Sequence, residues 1–327
     1  GTKIASVGTE PPEGTFDRVV DGAGKVLLPG FVNAHTHLPM TLMRGYGGGC
    51  DLHTWLNQYI FPAEARLDSR AVAAGAGLGL AEMIASGVTC VADMYMHTGT
   101  IAEQILEAGI SANLSCGGVY FGAPEDFSPE TCGDCRNQAA LTEEWHGAGA
   151  GQILVDASVH GEYTSNPPLW RWMAEYAAEH RLGMHVHVSE TQSEHQASLE
   201  RWGKTPIQAL DGCGVWDCGR SLAAHCVYTT EEDWALMAEK GISCVHNPWS
   251  NLKLGSGVAP IPAMMRAGVN VALGTDGVSS NNCTDNDMPE LTIGIRIYQR
   301  IIQETLIRLS SFRSSVSTFI LLSIPHN

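Results

Sequence analysis

Paired histidines are the residues of this chain best suited to chemistry. His35-Thr36-His37 closes an apolar run, LPGFVNA, and alternation along a strand puts residues i and i+2 on one face. Two imidazoles turned inward at one strand end are costly to leave without partners, and a metal ion satisfies both. A second cluster, His185-Val186-His187-Val188-Ser189-Glu190, offers His187 as a third ligand and Glu190 as an acid able to reach a molecule above the ion. His185 shares the face of His187 but lies deeper, where a buried, hydrogen-bonded histidine is expected. Gly274-Thr275-Asp276-Gly277 supplies a carboxylate. An Asp before Gly is by itself a turn residue. Here it completes three histidines and one carboxylate, a set that leaves one coordination position open for water.

One divalent ion is expected, zinc first, with Fe²⁺ or Mn²⁺ able to use the same donors. A two-metal barrel of this kind needs a bridging acid on the fourth strand. That strand reads Ile153-Leu-Val-Asp-Ala-Ser-Val159, has no lysine, and carries Asp156 in its middle and not at the mouth. His225, in LAAHCV, then has the role of orienting the water on the ion. Cys132-Gly-Asp-Cys135 with His160-Gly161-Glu162 superficially matches the zinc nucleobase deaminases. Those place H-x-E before P-C-x-x-C, whereas here the order is reversed and the proline is missing, so a loop cysteine pair is expected.

These residues need a scaffold that gathers them. Eight short β-type runs alternate with helical patterns: Val26–Ala34, Thr89–Met94, Ala112–Gly117, Ile153–Val159, Gly183–Val188, Ser221–Cys226, Ile242–His246 and Val269–Gly274. Eight βα units predict a closed (β/α)₈ TIM-type barrel, in which chemistry sits where the strands end. The sequence obeys that rule: His35 and His37, His160, His187 with Glu190, His225, His246 and Asp276 all fall at C-terminal strand ends. Residues 26–288 are expected to form the barrel, and residues 1–25 a short β-type segment outside it. Residues 289–327 are Arg/Ile/Ser-rich, and Tyr298, Ile301, Ile302, Thr305, Leu306 and Leu309 form a stripe suited to a last barrel helix.

The balance of 19 Lys and Arg against 35 Asp and Glu, a formal charge of -16, would repel nucleic acid and anionic membrane alike. The partner expected is a small molecule, with self-association left open. Ten cysteines scattered over 327 residues read as reduced core thiols, not a disulfide framework. No apolar run approaches the ~20 residues of a membrane span, and a cytoplasmic protein is expected.

The stretches LPGFVNAHTHLPMTLMRG, WLNQYIFPAEARL, HVHVSET, AAHCVYTT, SCVHNPWSNLKLGSG and VALGTDGVSSNN resemble the amidohydrolase superfamily. Within it they are most similar to the branch of S-adenosylhomocysteine, methylthioadenosine and adenosine deaminases. The resemblance implies the barrel and a small β-sandwich built from both termini, of which only an N-terminal remnant is recognisable. It implies His35, His37, His187 and Asp276 as ligands and Glu190, His225 and Asp276 as catalytic groups. It further implies Glu64 as the holder of the ribose hydroxyls and His160 as a substrate contact, although HGEYTS departs from the usual setting of that histidine. Family members acting on S-adenosylhomocysteine place arginines after the third strand, where this chain has Cys116 and then Glu125 and Asp126. Methylthioadenosine, adenosine or 5′-deoxyadenosine is therefore favoured, deaminated by hydroxide attack at purine C6 with Glu190 protonating N1. The alternatives are a hydrolase of s-triazines or other amino-heterocycles on the same scaffold, and a truncated, non-catalytic chain.

Overall fold

The strands that build the centre of the molecule are short, rich in Val, Ile, Ala and Cys, and covered on both faces. All six residues of Gly183–Val188 are buried, the pattern of parallel strands sandwiched between barrel interior and outer helices. The computed structural model describes residues 4–10, 12–23, 25–281 and 319–323. Its strands are β1 (Lys25–Pro29), β2 (Phe31–Thr36), β3 (Val88–Met94), β4 (Ser111–Ser115), β5 (Ile153–Gly161), β6 (Gly183–Val188), β7 (Ser221–His225), β8 (Ile242–His246), β9 (Val271–Leu273) and β10 (Phe319–Ser323).

Strands β2 to β9 pair in sequence order, every pair parallel. The ring returns on itself through a parallel bridge between Thr36 and Asp276. The amides of Thr275 and Asp276 both donate to the His35 carbonyl, at 3.1 and 3.0 Å. This is a (β/α)₈ barrel. Gly274 permits the closing contact, since a Cβ there would stand 2.8 Å from the His35 carbonyl oxygen.

The first expected strand differs from what forms. Val26–Ala34 is broken at Gly30, where a Cβ would collide with the Thr89 side chain. The chain before the break, β1, leaves the barrel and pairs antiparallel with β10, Lys25 opposite Ser323. Residues 4–10 and 12–23, expected as a β-type segment, carry neither helix nor strand. The stripe from Tyr298 to Leu309 lies outside the described residues.

Helix ends follow local chemistry. Asp68, Thr191, Thr205 and Thr230 accept amides in the first turns of the helices Ser69–Ala85, Gln192–Trp202, Pro206–Asp211 and Glu231–Lys240. Cys132, expected in a loop, instead precedes the helix Gly133–Trp145, and Cys135 lies buried within it. All nine cysteines among the described residues are free thiols.

The outer core lies in two bodies. One surrounds Trp170, Met173, Val186 and Ile242, and the other surrounds Leu38, Ile60, Leu80 and Leu114. Each fully buried large side chain contributes about 1.5–3 kcal/mol relative to exposure. Among the described residues no helix is long and apolar enough to cross a membrane.

Candidate metal and catalytic centre

Strand ends bring the chemistry-bearing residues to one rim. His35, fully buried, is the penultimate residue of β2, and His37 follows the strand directly. His187 lies in β6, His225 ends β7, and Asp276 follows β9. Ser189, His225, Cys226 and Asp276 all have φ between 49 and 76°. Non-glycine residues in that region carry a conformational cost, and four at one rim mark the place where the fold bends the chain to aim side chains.

The ligand atoms of His35, His187, His225 and Asp276 lie within 4.8 Å of one another. Asp276 Oδ1 stands 3.2 Å from His35 Nε2 and 3.0 Å from His37 Nε2. His37 Nε2 is 3.4 Å from His187 Nε2. Sequence reasoning assigned His225 to orienting water, but its ring stands as close to this centre as the expected ligands do.

The other edge of each ring is tied down. His37 Nδ1 donates to the Met94 carbonyl at 2.5 Å and His187 Nδ1 to the His160 carbonyl at 2.6 Å. His35 Nδ1 meets His185 Nε2 at 2.8 Å, and His185 Nδ1 lies 3.4 Å from Ser115 Oγ. His185 is thus a buried, hydrogen-bonded histidine. His225 Nδ1 donates to Asn251 Oδ1 at 2.7 Å. Asp276 Oδ2 accepts from Ser250 at 2.6 Å and Ser280 at 2.8 Å, so its Oδ1 is the oxygen left for the centre. Ser250, Asn251 and Ser280 were missed as functional residues. They lie within SCVHNPWSNLKLGSG and VALGTDGVSSNN, but nothing local distinguishes an oxygen-holding serine from a cap.

Electrostatics show what the centre lacks. Burial lowers His35 to about 4 and, helped by neighbouring imidazoles, holds His185 and His187 well below the usual histidine range. Burial acts against charge on His37 too, but the Asp276 carboxylate outweighs it and lifts His37 to about 9. Burial opposes the Asp276 charge, yet His35 and His37 hold its carboxyl well below the usual range. With both Nδ1 atoms engaged, His37 and His187 cannot face their Nε2 lone pairs at each other without a positive charge between or upon them. Imidazole nitrogens of His35, His37, His187 and His225 about one carboxylate oxygen are donors suited to a divalent transition ion of the zinc class, and any three of them with Asp276 would fit it.

Beside the centre a cavity of about 460 Å³ opens, a size suited to a small molecule. Trp55, Phe61, Met94, Met96 and Phe121 supply apolar wall, while Glu64, Asp134, Glu190 and Asp276 supply acid. No Lys or Arg is among its described lining residues. Glu64 is buried, which raises its carboxyl above the usual range. Burial likewise raises Glu190, which accepts from Ser256 Oγ at 3.2 Å and stands 3.6 Å from His225 Nε2. His160 also lines the cavity, its ring 4.7 Å from that of His187 and its Nδ1 3.0 Å from Thr164 Oγ1. Asp156 lies away from the rim, bonded instead to Arg220, Asn113 and the Gly183 amide.

Donors of this kind at the strand ends of a (β/α)₈ barrel point to one family of proteins. The chain belongs to the amidohydrolase family, whose model matches residues 26–309. It is 40% identical over 283 residues to a 5-methylthioadenosine/S-adenosylhomocysteine deaminase of Syntrophomonas wolfei, covering 86% of this chain and 64% of that one. A 5′-deoxyadenosine deaminase of Methanothermobacter thermautotrophicus is 41% identical over 283 residues, covering 86% of this chain and 65% of that one. The chain therefore spans under two thirds of the length of these curated relatives. A solved adenosine deaminase from Xanthomonas campestris with bound zinc superposes with a TM-score of 0.73 at 35% identity, covering 80% of this chain and 59% of that one.

Proposed function

We propose that this chain is a metal-dependent hydrolytic deaminase of adenine nucleosides, releasing ammonia from purine C6. The observation that carries the reading is the gathering of His35, His187, His225 and Asp276 ligand atoms within 4.8 Å, with His37 Nε2 3.0 Å from Asp276 and 3.4 Å from His187, beside a cavity that Glu190 also faces. His35, His37, His187 and Asp276 would hold one ion, proposed as zinc. When bound, the ion acts as a Lewis acid that makes water nucleophilic near neutral pH.

The protein's own groups do the rest. Asn251 holds the Nδ1–H of His225, so its Nε2 is free to take a proton as water adds to C6. Asp276, with Oδ2 fixed by Ser250 and Ser280, shares that proton through Oδ1. Burial keeps Glu190 protonated at higher pH than a free glutamate, and it donates to ring N1 as the carbon becomes tetrahedral. The proton held by His225 and Asp276 then passes to the amino group, the C–N bond breaks to release ammonia, and the C6 hydroxyl proton restores Glu190 as the carbonyl forms. Glu64 would accept from the two ribose hydroxyls, a cis-diol suiting a carboxylate with two acceptor oxygens, and His160 would contact the substrate.

The described cavity wall supplies no guanidinium to an amino-acid carboxylate, and it adds Asp134. This supports methylthioadenosine, adenosine or 5′-deoxyadenosine ahead of S-adenosylhomocysteine. Residues 26–288 are proposed as the catalytic barrel, and the β1–β10 pairing supports a small β unit drawn from both ends of the chain. Ammonia release and ultraviolet change across a panel of purine nucleosides, with an s-triazine as control, test the reading. Turnover of the triazine but of no nucleoside would overturn it.

A further inference from the structure

The turn that carries Glu190 is held by a residue that the reaction scheme does not use. Ser189 sits at φ 49°, a region serine avoids unless its surroundings impose it. The two consecutive amides of this turn donate to one side chain: Ser189 N to Glu194 Oε1 at 2.8 Å and Glu190 N to Glu194 Oε2 at 2.7 Å. Glu194 lies in the first turn of the helix Gln192–Trp202 and is 6% exposed. Its own amide is held by the Thr191 hydroxyl at 3.1 Å. On the far side of the turn, the Ser189 carbonyl accepts from the Tyr228 amide at 2.9 Å.

No salt bridge reaches Glu194 among the described residues. A buried carboxyl without a cation is expensive to ionise: burial pushes Glu194 up to about 8, against the two peptide N–H groups that favour its charge. Ordinary helix capping does not require this, because Thr191 already caps the same helix. Glu190, three residues beyond His187, is therefore set on a backbone gripped at its own amide and at that of Ser189.

We propose that Glu194 is a positioning residue for Glu190: its two oxygens clamp the Ser189 and Glu190 amides and so fix the direction in which the Glu190 side chain enters the cavity. The proposal rests on Glu190 being the proton donor. A glutamine at 194 has the same shape but only one acceptor atom, and its NH₂ would oppose the second amide. A displaced donor lowers the rate without loosening substrate that other groups hold.

The test compares the wild-type chain with Glu194→Gln, Ser189→Gly and the double variant. Expected for Glu194→Gln are a kcat lower by about tenfold or more, KM within about threefold, and unchanged bound metal. Amide hydrogen exchange should speed up at Ser189 and Glu190 and stay unchanged in Ser69–Ala85. Adding Ser189→Gly relieves the strained turn, so it should recover thermal stability in the double variant but not kcat. Wild-type kcat in Glu194→Gln, kcat recovered together with stability, or unchanged exchange at the two amides each overturns the proposal. If the wild-type chain deaminates no nucleoside, the functional reading falls, and the exchange measurement still decides whether the clamp exists.

Discussion

His37 and His187 face each other through their Nε2 atoms across 3.4 Å, while each donates its Nδ1–H to a main-chain carbonyl. Two neutral rings so arranged would set lone pair against lone pair. The arrangement calls for a positive charge, met by a proton on His37 or by a cation between the rings. The lift of His37 to about 9 is that demand expressed as a proton, brought about by Asp276 against the opposing effect of burial.

Metal uptake should therefore release protons. Without the ion His37 is charged at pH 7.5, and coordination needs its lone pair, so binding should expel about one proton per chain there and fewer as pH rises past about 9. Calorimetry of zinc binding in buffers of different ionisation heat measures this. Elemental analysis should find one ion per chain, and chelation should abolish turnover with recovery on adding zinc back. Two tightly held ions would count against the single-ion site.

Glu190→Gln should lower kcat by about 10²- to 10⁴-fold, the range for loss of a general acid, with bound metal unchanged. Burial raises Glu190, and the protonated form is the active one. The rate should then be sustained below that raised pKa and fall as pH rises through it. A rate rising over the same interval would show Glu190 acting as a base.

Glu64→Gln should raise KM for nucleosides by about tenfold or more, the loss of charge-assisted hydrogen bonds to hydroxyls, while leaving metal content unchanged. Substrates lacking ribose should be indifferent to the change. Equal damage toward free adenine and toward adenosine would remove Glu64 from ribose recognition.

Asp156 separates stability from chemistry. Its carboxylate joins Asn113 of β4 at 2.8 Å, the Gly183 amide of β6 at 3.1 Å and Arg220, just before β7, at 2.6 Å. Asp156→Ala leaves those donors without their acceptor and should cost about 2–3 kcal/mol of unfolding free energy. Thermal or urea unfolding reads the loss, and metal content of the folded variant should stay at the wild-type level.

Much of the scaffold was legible because strand periodicity and helix stop signals are local. The βα alternation, the HxH pair of His35 and His37, and the placement of His187, His225 and Asp276 at strand ends all follow from neighbours in sequence. The break at Gly30 escaped because the residues on both sides of it, Val26–Pro29 and Phe31–Val32, are apolar, and only contact with Thr89 on the next strand forbids a side chain there. Cys132 and Cys135 misled for the opposite reason: their spacing suggested a loop pair, while both are buried against the barrel, Cys132 at the N-cap of a helix and Cys135 in its first turn.

The sequence by itself determined which donors this protein owns and which face of each strand they occupy, since a period of two is written in neighbouring residues. Barrel closure alone decided the meeting of His35 with Asp276 across 241 positions, the choice of Asp276 Oδ1 as the inward oxygen, and the closeness of His225 to the centre. These depend on how eight strands converge at one rim, and a pattern along the chain carries no distance across it.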